Sequence, residues 1–210
     1  MRPDLDLLSA LDAPRRAADL LTLEEVLGLA SRGNVIFDPF SVLISRHVRI
    51  GEGNVFHPCV TLTCTASAVL SLGDRNVFHT GTLMAAETGP ISIGHGNQFG
   101  EGGFTAKANS PQARIVIGDG GRYLGGASVF GQTELGSGTQ VLGAITVDRC
   151  TLAGGTAFSG PDPDLRGSVL KGSGTARGLV LGVGQVIAGS GAFRLEDAKP
   201  QSFFHPKRAP

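Results

Sequence analysis

The chain has 210 residues, 41% of them apolar and 17% charged, with 18 basic residues balancing 18 acidic ones. That balance excludes a disordered chain, which combines low hydrophobicity with high net charge, and removes any general electrostatic pull toward nucleic acid or an anionic membrane. Three cysteines, Cys59, Cys64 and Cys150, are odd in number and lack CxxC spacing, so neither a disulfide framework nor a zinc knuckle is indicated, and a cytoplasmic location is expected.

In chain order, the start MRPDLDLL lacks the basic-then-apolar order of a signal peptide. Residues 1–33 form an N-terminal helical segment. Thr22 and Glu25 make a capping box, Leu23, Val26, Leu27 and Ala30 fall on one side, and Gly33 offers a stop, which predicts a short amphipathic helix. The longest uncharged stretch, 53–73, is studded with Thr, Ser, His, Asn and Pro, and no membrane span is predicted.

Residues 34–195 carry a repeat. Seven segments share one pattern: IGEGNVF from Ile50, LGDRNVF from Leu72, IGHGNQF from Ile93, IGDGGRY from Ile117, LGSGTQV from Leu135, LAGGTAF from Leu152 and LGVGQVI from Leu181. The first position is always Ile or Leu; the second is Gly except at Ala153, and the fourth is Gly except at Arg75. The fourth position is predicted to take a left-handed backbone conformation, which glycine enters without a Cβ clash. The seventh position is apolar or aromatic, and further steps of six often land on an apolar residue, as in Ile117, Tyr123, Val129, Leu135, Val141 and Val147. A period of six fits neither a helix nor a simple strand; it fits a parallel β-helix of hexapeptides, each sending one large residue into the core before a turn. Ile117 to Leu135 spans 18 residues, three hexapeptides and hence a triangular coil, while longer gaps between earlier repeats predict corner loops near 65–70, 86–90 and 107–114. Residues 196–210 form a terminal helix or tail, with Phe203 and Phe204 as candidate anchors.

The sevenfold pattern resembles the hexapeptide-repeat superfamily, whose fold is a left-handed parallel β-helix and which includes many acyltransferases. The resemblance implies the left-handed winding; the general rule for parallel crossovers would give a right-handed coil. The passage RGNVIFDPFSVLISRHVRIG, 32–51, is similar to the point where bacterial N-acetylglucosamine-1-phosphate uridyltransferases pass into their β-helix, although no nucleotidyltransferase domain fits in the residues before it. ETGPISIGHGNQFGEGG resembles the GPIxIGxGN coil of the non-enzymatic β-helix subunits at dynactin's pointed end, with a similar counterpart from Arg114 to Phe130. Relatives pack three coils around an axis with sites between them, which implies a homotrimer.

Stacked coils bring equivalent positions about 4.8 Å apart. The third motif position gives Glu52, Asp74, His95 and Asp119, so His95 is expected between two carboxylates, as a general acid, a metal ligand, an anchor or simply part of a polar corner. The position after the aromatic residue gives His57, His79 and Gly100, with Glu101 one residue on. Hexapeptide acyltransferases use a histidine to deprotonate the acceptor, so the resemblance implies a histidine base. His79 is the first candidate because it follows Phe78 in an unbroken motif and precedes the small residues Thr80 and Gly81, His95 is second because Asp74 and Asp119 would keep it protonated, and His57 is third. Lys107, Arg114 and Arg122 are candidates for holding an acceptor phosphate or the phosphates of an acyl-CoA donor. Carbonic anhydrases of the β-helix class carry IGHxxxxHG; here His95 matches, but Gly100 and Ala85 stand where the other two ligands would be, and zinc needs three protein groups, so that activity and a bound metal are disfavoured. Two functions stay open. One is acyl transfer from acyl-CoA or an acyl carrier to an amine or hydroxyl of a small, sugar-like acceptor, without a bound cofactor. The other is a catalytically silent β-helix that serves as a structural or interaction module.

Overall fold

The computed structural model describes residues 7–205; residues 1–6 of the expected helical segment and 206–210 of the expected tail lie outside them. The fold is an all-β parallel β-helix with short flanking elements.

Each coil contributes three short strands, one to each face. The first face stacks Val35–Ile36, Val55–Phe56, Val77–Phe78, Gln98–Phe99, Arg122–Leu124 and Gln140–Leu142 in parallel register, then the start of Val169–Arg177. The second runs from Leu43–Ile44 through Thr61–Cys64, Thr82–Ala86, Phe104–Ala108, Ala127–Phe130 and Ile145–Asp148 to the end of Val169–Arg177. The third is a seven-stranded sheet from Arg49–Ile50 to Val180–Leu181. The chain departs from these stacks at 65–69, 87–90 and 109–113, matching the three expected corner loops.

The period of six marks the core. Ile50, Phe56, Leu62, Leu72, Phe78, Ile93, Phe99, Ile117, Tyr123, Val129, Leu135 and Val141 all belong to one buried cluster. Phe56, Phe78, Phe99 and Tyr123 stack with ring centroids 5.1, 5.3 and 5.3 Å apart. One repeat breaks the pattern. Phe158, in the sixth segment, is 40% exposed, and Leu170 takes the core position by pairing with Val141. The loop between Leu152 and Val169 carries the segment's second half out of the coil.

The two motif glycines serve different physics. Gly96, at the fourth position, has φ +65°, and an added Cβ would meet nothing within 4 Å. The constraint is purely conformational, so Gly96→Val should cost about 1–3 kcal/mol, read from the shift in denaturation midpoint. A neutral result would mean the left-handed corner is not needed. Gly94, at the second position, has ordinary φ, but a Cβ there would strike Asp119 Oδ1 and lie 2.8 Å from Gly118 O on the next coil. Here the requirement is coil-to-coil contact.

A buried amide ladder at the fifth position adds a second spine. Asn34, Asn54, Asn76 and Asn97 are each at most 3% exposed. The Oδ1 of Asn34 accepts from the backbone N–H of Asn54 at 2.9 Å and from its Nδ2 at 3.1 Å, and the pattern repeats from Asn54 to Asn76 and from Asn76 to Asn97. On the next coil the column holds Gly121, whose backbone N–H donates to Asn97 Oδ1 at 2.7 Å. A Cβ at Gly121 would overlap the Tyr123 hydroxyl, which pairs with Thr139 Oγ1 at 2.8 Å. The change from Phe to Tyr and the change from Asn to Gly thus compensate each other within one coil.

The flanks only partly follow expectation. Helix α1 (Leu7–Ala17), absent from the sequence reading, anchors through buried Arg15, which donates to the carbonyls of Leu21, Pro39, Phe40 and Val42. Helix α2 (Leu23–Gly28) has the expected Thr22–Glu25 capping box, and the Arg46 guanidinium on Glu25 holds its carboxyl down to about 2. Leu23 and Val26 are buried, but Leu27 and Ala30 are exposed, because the chain tightens into a 3-10 turn over Leu29–Arg32 and Leu29 turns inward instead. At the other end, Lys199–Pro200 pairs antiparallel with Gln185 and Val186. Phe203 and Phe204 are exposed rather than anchoring; Gln201 anchors the tail, 3% exposed, with Nε2 donating to Gly167 O at 2.8 Å. No helix among the described residues is long and apolar enough to cross a membrane.

Candidate functional site

The corner between the first and second faces brings two of the three candidate histidines together. Phe56 and Phe78 end their strands pointing into the core, so the next residue, His57 or His79, must turn outward. Their imidazoles stack with centroids 4.7 Å apart at 27°, and exposed Phe37 extends the column from the preceding coil at 5.0 Å.

The backbone of His79 is fixed from both sides. Its N–H donates to Phe99 O at 2.8 Å, and its carbonyl accepts from Thr82 Oγ1 at 2.7 Å. The next coil has Gly100 in the column, with φ +86°, and a Cβ there would overlap Thr82 Oγ1. The His79 ring therefore has His57 on one side and no side chain stacked on the other, with the small residues Thr80 and Gly81 following it. Partial burial lowers the His79 pKa, and the neighbouring His57 lowers it further, against a smaller opposing pull from Glu101. Both leading effects disfavour an imidazolium, so the ring is held in the form that accepts a proton. Among the described residues, no carboxylate is hydrogen-bonded to either imidazole.

His95 lies on a different corner, between the third and first faces, and the structure puts it to different use. Glu52 N–H donates to Asp74 Oδ1 at 2.8 Å, Asp74 N–H to His95 Nδ1 at 3.0 Å, His95 N–H to Asp119 Oδ1 at 2.7 Å and Asp119 N–H to Ser137 Oγ at 3.0 Å. Each side chain accepts from the backbone of the coil before. The expected position of His95 between two carboxylates is found, and its Nδ1 also lies 3.1 Å from Asp74 Oδ2. The Asp74 carboxyl is held low, first by the Glu52 N–H and then by His95 and Arg75. The column is a ladder that ties corners together, with the His95 Nδ1 already engaged. Among the described residues, no group of three or more His, Cys, Asp or Glu side chains is placed to hold a metal.

The three candidate cations do not converge. Lys107 is on the second face, Arg114 on the third beside Glu134 and Arg149, and Arg122 on the first, with its guanidinium carbon 4.7 Å above the Phe158 ring. Outward residues on three faces of a triangular coil cannot share one ligand. Gly100 is legible in the sequence as the residue that follows His57 and His79 in their column, whereas Thr82, which also shapes the surroundings of His79, was not singled out; in a repeat dominated by Thr and Gly turns nothing marks it.

No protein-family model matches the sequence, and no curated protein matches it. Among solved structures, the UDP-N-acetylglucosamine acyltransferase of Francisella novicida is similar, at 12% identity with a TM-score of 0.27, over 80% of this chain and 66% of that one. The chain thus spans a little under two thirds of the length of that protein.

Proposed function

We propose that the protein transfers an acyl group from an acyl-CoA or acyl-carrier thioester to an amine or hydroxyl of a small acceptor at the His57–His79 corner. The observation that carries this reading is the His79 imidazole: half-buried, biased toward its neutral form and open above because the next coil has Gly100 in the column. Neutral imidazole removes the acceptor proton as its nitrogen or oxygen attacks the thioester carbonyl. Collapse of the tetrahedral adduct breaks the carbon–sulfur bond, and the imidazolium returns the proton to the departing thiolate, giving free thiol. No metal takes part. A homotrimer, with the corner facing a neighbouring subunit, completes the acceptor site. Val35, Val55 and Val77 point outward on the first face beside exposed Phe37 and offer apolar surface for such packing.

One observation favours a second reading, a silent interaction module: no carboxylate among the described residues orients either imidazole. The two are separated by thermal shift with acetyl-CoA and longer acyl-CoA thioesters, run alongside light scattering at micromolar concentration. Acyl transfer predicts a concentration-dependent rise in Tm, set by mass action, and a trimeric mass. A monomer whose Tm ignores every thioester supports the module instead.

A further inference from the structure

The outer side of the first face, three coils and more from His57, holds a cavity of about 460 Å³. Its floor is Arg122, Gln140, Val169 and Val186; Phe158 and Arg166 on the Leu152–Val169 loop form one wall, and Phe204 and His205 on the tail the other. Lys171 and Leu142 close the side toward the corner. The lining includes two arginines, a lysine and a histidine and no carboxylate. Asp164, in the same loop, receives the Ser202 N–H at 2.9 Å and does not line the cavity.

Two polar side chains in the floor make fewer hydrogen bonds than they can. The Arg122 Nε is buried with no hydrogen-bond acceptor. Gln140 is only 8% exposed, and its side-chain amide bonds to no described residue. A buried donor left unpaired is destabilising, and gathering cations without a counter-charge adds repulsion. Arg166 is held in place by Nε and Nη2 donating to Gly160 O, which leaves its remaining N–H groups free to face a ligand.

We infer that this cavity binds an organic phosphate: the phosphoryl group on Arg122, Arg166 and Lys171, its ester oxygen or a neighbouring hydroxyl on Gln140, and its carbon skeleton against Leu142, Val169, Val186 and Phe204. Arginine guanidinium N–H groups match phosphate oxygens bidentately, and the cavity lining offers an anion no competing carboxylate. Volume excludes a bare phosphate as the fitting occupant, since the cavity lies within the ~300–1,000 Å³ range of small-molecule sites and has apolar walls that an inorganic ion would leave uncovered. This site is independent of the catalytic reading, because Arg122 stands two coils above Val77 in register.

Isothermal titration of the full chain with phenyl phosphate, glucose 1-phosphate, benzoate and inorganic phosphate tests it without any turnover. At least one phosphate ester should bind tenfold or more tightly than inorganic phosphate and benzoate. Arg122→Gln should weaken that ester by tenfold or more, and Gln140→Leu, which keeps the packing of the floor, by severalfold. Arg114→Gln, on another face, should leave it unchanged. Equal affinity for ester and inorganic phosphate, no binding of any ester, tighter binding of benzoate, or undiminished binding in both floor variants would overturn the assignment.

Discussion

His79→Asn should lower acyl turnover by about 100-fold or more while leaving donor affinity nearly unchanged. Asparagine keeps much of the volume beneath Gly100 and retains a hydrogen-bonding end, but it has no basic nitrogen, so the acceptor proton loses its destination at the moment of attack. His95→Asn is the informative control, since an amide oxygen can replace Nδ1 as acceptor for the Asp74 N–H and the ladder persists. The pH profile supplies an independent mark: because burial and His57 lower the His79 pKa, the acid limb of kcat/KM should fall below the ordinary imidazole value of 6.5. An equal loss from His95→Asn alone would move the base to the other corner.

Asn76→Ala should destabilise the β-helix by about 3–5 kcal/mol, a large part of a domain's usual ~5–15 kcal/mol. Asn76 is fully buried and acts in both directions along the ladder. Its Oδ1 accepts the N–H and Nδ2 of Asn97, and its Nδ2 donates to Asn54 Oδ1 and Gly94 O. Alanine leaves the Asn97 backbone N–H and one Nδ2 hydrogen without an acceptor, the other Nδ2 hydrogen keeping Gly118 O at 2.9 Å, in a site too tightly stacked for easy repair, and each orphaned group costs about 1–3 kcal/mol. Denaturant titration of the variant against wild type reads the loss. A shift below about 1 kcal/mol would mean that the amides are not a spine.

What was legible in the sequence is what repeats with a period. Aliphatic and aromatic residues at the first and seventh positions mark the core because every coil must send large side chains inward, and six of the seven fourth positions are left-handed, Arg75 included at φ +54°, while Gly155 in the broken sixth segment is not. Residues that act between coils were harder to see. The need for Gly94 arises from an approach to Asp119 and Gly118, and Asn54, Asn76 and Asn97 look like turn residues until their side chains are found buried against one another. Phe158 misled because LAGGTAF satisfies the local pattern; only the later pairing of Leu170 with Val141 shows that the chain left the coil and returned. Helix α1 was hidden by Pro14 and by Arg15, whose charge argues for solvent until the carbonyls around it are in view.

The candidate site followed the same division. Stacking of His57 on His79 could be read from the column, as could the position of His95 between carboxylates. The engagement of His95 Nδ1 by a backbone N–H, and the scattering of Lys107, Arg114 and Arg122 over three faces, depend on which way each corner turns.

Release of free thiol from acyl-CoA and acyl-carrier donors, measured with wild-type protein across a broad panel of amine and hydroxyl acceptors, tests the central claim most directly. The account predicts release that requires both donor and acceptor and is lost in His79→Asn. Absence of release with every pair would contradict it and leave the chain as an interaction module.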